Sequence, residues 1–98
     1  MNTCYLEITY RRGKPVAAYF YLLRQAGDTS ARTVVGPNGL VTDFTADGRP
    51  MGIEITAPSL LTLPALNEAL AAAQQPPATA DDIAPLLALR QTRSAEKL

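Results

Sequence analysis

The stretch DFTADGRPMGIEI, residues 43–55, carries an acid near each end of what reads as a single hairpin, and its reading decides the fold. Asp47-Gly48 is the strongest hairpin signal in the chain, because a type I′ turn needs positive φ at both central residues. With those two residues as the loop, Phe44 faces Met51, Thr42 faces Ile53 and Leu40 faces Ile55. These apolar pairs share one face, while Val41 opposite Glu54 and Asp43 opposite Gly52 lie on the other. Asp43 is thereby diagonal to Glu54, about 7–8 Å away by Cα. Pro50 has no N–H to give a ladder and belongs at the start of its strand or at an edge, and Gly52 marks a bulge or makes room for a neighbouring chain. Gly39, Gly48 and Gly52 are read as backbone requirements, where alanine disturbs folding before function.

Upstream, CYLEITY (4–10) alternates, with Leu6, Ile8 and Tyr10 on one face and Tyr5, Glu7 and Thr9 on the other. After the turn RRGKP, the strand VAAYFYLLR (16–24) is apolar on both faces, with Phe20 and Leu22 on one and Tyr19, Tyr21 and Leu23 on the other. Such a strand is either central between two layers or in contact with another subunit. QAGDTSA is a loop, RTVVG a short strand, and Gly36-Pro37-Asn38-Gly39 a turn whose Asn and Gly tolerate positive φ.

Beyond Pro58 the pattern changes to Ala and Leu at helical spacing. A helix PALNEALAAAQQ (64–75), opening at Pro64 and stopped by Pro76-Pro77, buries Leu63, Leu66, Ala69, Leu70 and Ala73 and turns Asn67 and Glu68 outward. Thr79 caps a second helix, ADDIAPLLALRQ (80–91), through a capping box with Asp82, and Ile83, Leu86, Leu87 and Leu89 dock it. The expected class is α+β: an antiparallel β-meander of about five strands in residues 1–58, two short C-terminal helices in 59–91 on the same core, and a frayed tail, 92–98.

Composition closes off several kinds of chemistry. Ninety-eight residues suit one domain, and nine Lys+Arg against nine Asp+Glu offer no chain-wide attraction for nucleic acid or anionic lipid. Histidine is absent, which removes the commonest general base and metal ligand, and none of the serines sits in a G-x-S-x-G turn. VVGPNGLV lacks the G-K-[ST] ending of a phosphate loop. Cys4 is the single cysteine, too few for a disulfide framework or a thiolate zinc site, and is read as a small buried hydrophobe. No apolar run approaches the ~20 residues that span a bilayer, so the expected compartment is the cytoplasm.

The segments LEITY, YFYLL and GLVTDFTADGRPMGIEI followed by APS resemble the bacterial domain-of-unknown-function family 2283, over about residues 5–58. The elements that carry the likeness are Asp43-Phe44, Asp47-Gly48 and Gly52-Ile53-Glu54-Ile55. The resemblance implies a compact β-meander, sometimes encoded beside a small toxin-like protein, and hence an antitoxin-like or other interaction role. The first hairpin departs from the family pattern, with RRGKP where an acidic turn is typical.

Two expectations about function follow. The first is a non-enzymatic protein-protein interaction module without cofactor, a homodimer burying Tyr19, Tyr21 and Leu23 or the partner of a small protein encoded nearby, with no nucleic acid or membrane as partner. Tyr5, Tyr19 and Tyr21 then pack on a helix or a second subunit rather than stack on bases. The competing expectation pairs Asp43 with Glu54, and Glu7 as a third acid, to hold a divalent cation or act as acid and base. Against it, a solvated face with Arg32, Arg24 or Arg12 offsetting the acids explains the same residues.

Overall fold

The structure, a computed structural model, describes residues 4–23 and 25–88. Five antiparallel strands form one sheet: β1 (Tyr5–Arg11), β2 (Lys14–Tyr21), β3 (Arg32–Val35), β4 (Leu40–Phe44) and β5 (Pro50–Ile55). With the short helices that follow, the fold is α+β. The order across the sheet is β1-β2-β5-β4-β3, so β3, β4 and β5 make a continuous meander and the β1–β2 hairpin joins it through β5. Residues 22–23 and 25–31 therefore lie across one end of the sheet between β2 and the far edge, tied to it by Leu22 N–H on the Met51 carbonyl (3.0 Å) and Ala31 N–H on the Phe44 carbonyl (2.9 Å).

The pairing of β4 with β5 is as expected from Leu40 opposite Ile55 to Asp43 opposite Gly52, but Phe44 faces Pro50 instead of Met51. Two departures cancel to give this result. The loop has three residues, Ala46 to Gly48, because Thr45 N–H bonds the Arg49 carbonyl (2.9 Å) and Gly48 N–H bonds the Thr45 carbonyl (3.0 Å). Gly48 has φ +89°, while Asp47 is not in the left-handed region, so the turn is a type I turn closed by a left-handed glycine and not type I′. The bulge at Met51 then restores the register. The two-residue loop with both φ values positive lies instead in the first hairpin, at Arg12 (φ 54°) and Gly13 (φ 76°).

One face of the sheet supplies the core. Ala18, Phe20, Leu40, Ile53 and Ile55 pack there against Leu61, Leu66, Leu70, Ile83 and Leu86 of the C-terminal segment. Burying each of these large side chains favours folding by about 1.5–3 kcal/mol, which is how a short helix is held on a sheet.

Helix α1 (Leu63–Ala72) starts at Thr62, whose hydroxyl accepts the Ala65 N–H (3.2 Å), with Pro64 in the first turn. It ends before the two prolines. Gln74 is left-handed (φ 60°), Gln75 N–H returns to the Leu70 carbonyl (2.8 Å) and Gln74 N–H to Ala71 (3.0 Å), so the last carbonyls are satisfied by a Schellman closure. Asn67, expected to face outward, instead grips the returning chain: its amide accepts the Ala78 N–H (2.7 Å) and donates to the Ala78 carbonyl (3.2 Å). Thr79 and Asp82 form the capping box, with Thr79 N–H on the Asp82 carboxylate at 2.7 Å. A 3₁₀ turn (Asp81–Ile83) leads into helical backbone over residues 84–88. The expected docking of Leu89 and the tail 92–98 fall outside the described residues. Cys4 is exposed rather than buried, standing just before β1. Among the described residues no helix is long and apolar enough to cross a membrane.

Candidate interaction surface

The pairing register fixes which side chains share the face opposite the core. One row runs Tyr5, Tyr21, Gly52, Asp43, Thr33 across the five strands, and the next runs Glu7, Tyr19, Glu54, Val41, Val35. Of the two packings expected for the tyrosines, on a helix or on a second subunit, the helix is not the one: they lie on this face, away from the core residues of the C-terminal segment. Tyr5 and Tyr21 stack with ring centroids 4.5 Å apart at 15°, and Tyr19 continues the group at 4.6 Å from Tyr21, tilted 57°. Tyr5 keeps 50% of its surface exposed, so the stack is open at its outer end.

Acids surround the rings and are engaged by them. The Tyr19 hydroxyl donates to Asp43 (2.6 Å), reaching over Gly52, and the Tyr21 hydroxyl donates to Glu7 (3.0 Å). Glu54, directly opposite Tyr19, is exposed. Gly52 is what lets Tyr19 lie down: a Cβ there would stand 2.7 Å from Tyr19 Cζ and 2.8 Å from its Oη. The neighbour for which this glycine makes room is thus a ring of the adjacent strand.

Asp43 and Glu54 do occupy one face as diagonal neighbours, but Tyr19 stands in the row between Glu7 and Glu54 and holds Asp43 through its hydroxyl. Among the described residues no three Asp, Glu or Cys side chains gather as a metal centre. Of the bases expected to offset these acids, Arg32 and Arg12 make no ion pair with them: the Arg32 guanidinium lies 4.5 Å over the Phe44 ring and Arg12 is in the hairpin loop, while Arg24 falls outside the described residues. Leu23, assigned with Tyr19 and Tyr21 to one interface, falls beyond the end of β2 and is exposed. Gly39 stands opposite Thr56, just beyond the Val41–Glu54 pair, a left-handed turn residue (φ 70°) whose carbonyl accepts the Thr56 hydroxyl (2.8 Å).

Two other features were not foreseen. Arg49 makes a bidentate pair with Asp28 in the crossing segment (2.8 and 3.1 Å) and a further bond to Asp47 (3.0 Å). The Arg49 hydrogen bond, helped by the Gln25 N–H, holds the Asp28 carboxyl below its usual range, and Asp47 is lowered first by the Thr45 hydroxyl and then by Arg49. The partners lie 21 positions apart in the chain, and only the crossing of the sheet end brings them together. The second is a groove of about 120 Å³ between α1 and β3–β4, where Val34, Leu40, Ala65 and Ala69 leave Thr42 and Glu68 as the polar lining. It offers few groups to orient a substrate.

Compared with known protein families, curated proteins and solved structures, the chain finds no match in any of the three.

Proposed function

We propose that the protein is a non-enzymatic protein-protein interaction module working through the open face of its sheet. The observation that carries the reading is the tyrosine group Tyr5, Tyr21 and Tyr19, stacked on the face turned away from the core with its outer ring half exposed. Large rigid aromatic side chains lose little conformational entropy on association, and they dominate the energetics of interfaces where they cluster. The reading agrees with the resemblance to domain-of-unknown-function family 2283 and its antitoxin-like implication, and it places the protein in a reducing cytoplasm, where an exposed Cys4 stays a thiol. The partner is a second protein chain, another copy or a small neighbour-encoded protein.

The test is to express the untagged chain with the product of the adjacent gene and measure the mass of what elutes from size exclusion by light scattering. A mass above that of the single chain, reduced to the single chain by Tyr5→Ala, is the expected result. A single-chain mass at every concentration, with and without the neighbour, ends the proposal. Adding Mg²⁺ or Ca²⁺ to the same samples checks the carboxylate alternative: a rise in Tm that disappears in Asp43→Asn would establish a cation site by mass action on the native state.

A further inference from the structure

We infer that the occupant of the open face is an arginine-bearing protein segment and not a second copy of this chain; the inference rests on the interaction reading above. The two rows that hold the tyrosines contain Glu7, Asp43 and Glu54 and no Lys or Arg. Among the described residues none of these three carboxylates is in an ion pair, since the pairs there belong to Arg49. The chain as a whole carries nine charges of each sign, and Arg11 pairs with Lys14 further along the same face, so the negative character belongs to these two rows.

The chemistry of the surface selects a cation twice over. Aromatic faces attract cations through their quadrupole, and the carboxylates beside them accept charge-assisted hydrogen bonds. Guanidinium satisfies both at once, because it is planar enough to stack on Tyr5 while its fork meets a carboxylate; ammonium is a more strongly hydrated point charge. Glu7 and Glu54 lie two strand spacings apart, about 10 Å, a distance an extended segment covers in about three residues.

Self-pairing is disfavoured by the same residues. A two-fold contact that laid these two rows on themselves would set three carboxylates against three more, and like charges across an interface select against that pairing. The patch of four strands by two rows is also small beside the roughly 800 Å² per partner of a stable dimer, but it suits a short segment.

The test is titration of the full chain with a synthetic nona-arginine peptide at physiological salt, read by amide and tyrosine-ring NMR shifts. Expected are shifts confined to the tyrosine face, binding about tenfold weaker in Glu7→Gln/Glu54→Gln and in Tyr5→Ala, and unchanged binding in Glu68→Gln on the helix. Tm measured on each variant separates lost contacts from lost folding. Nona-lysine should bind more weakly than nona-arginine. Absence of binding, equal loss in Glu68→Gln, or shifts elsewhere overturns the inference. If the peptide fails while light scattering shows Tyr5-dependent self-association, a second copy covers the face and the interaction reading survives alone; if the chain also keeps its single-chain mass with and without the neighbour, both readings fall.

Discussion

At position 52 the side chain is missing because a ring from another strand fills its place. Tyr19 lies over Gly52 and donates to Asp43, so a methyl group there must displace the ring and break a 2.6 Å hydrogen bond. Gly52→Ala is expected to lower stability by about 1–3 kcal/mol, the usual range for overpacking. The cause is checked by a double-mutant cycle in urea: in a Tyr19→Ala background the same substitution should cost little. Equal cost in both backgrounds would place the strain elsewhere. From sequence alone Gly52 is legible as a point of close approach, but its partner is not. Tyr19 is 33 positions earlier, and no local pattern says that β2 pairs with β5.

Single elements were more legible than their joints. The alternation in residues 40–45 and 49–56 places β4 and β5, and a two-residue loop gives the right partners for Leu40 to Asp43 because the longer loop is compensated by the Met51 bulge. The first hairpin allows no such coincidence. Arg12-Gly13 pairs Arg11 with Lys14 and Tyr10 with Pro15, and without a bulge Tyr5 would then oppose Phe20. The register slips between Thr9 and Tyr10, and one residue of slip exchanges the faces, which is what sets Tyr5 opposite Tyr21 and builds the aromatic group. Pro15, with no N–H for the ladder, is the sequence feature nearest the slip. In α1 the apolar stripe was readable, but the Asn67 grip was not, because it depends on where the chain returns after Gln75. Asn67→Ala removes both bonds to the buried Ala78 backbone and should cost about 1–3 kcal/mol in denaturant unfolding. The Ala78 amide should also exchange faster in the native state. Unchanged exchange at Ala78 would show that the return is held by Ile83 and Leu86 alone.

For the whole molecule, the decisive step is the passage from β2 to β3 across the sheet end, since β3 lies past β5 and β4 at the far edge. That passage runs by the tip of the β4–β5 hairpin, where Arg49 binds Asp28 of the crossing segment and Asp47 of its own loop. The Asp28 side chain retains 9% of its surface against 39% for Arg49, so the pair is more sheltered than an ordinary surface bridge. Both aspartates have folded-state pKa values below their unfolded ones. A lowered pKa means that the charged form is favoured by folding, so this contribution is complete above about pH 4 and is lost as pH falls through the lower folded values. Tm should therefore hold steady above that point and decline below it. In Arg49→Gln the hydrogen bonds that lower both groups are weakened or gone, so Tm should be lower near neutrality and its acid decline shallower. Thermal melts of both proteins from pH 7 down to about pH 2.5 decide the matter. Parallel acid profiles would mean that other carboxylates govern acid unfolding, and that the crossing segment is held by its backbone bonds to Met51 and Phe44 rather than by Arg49.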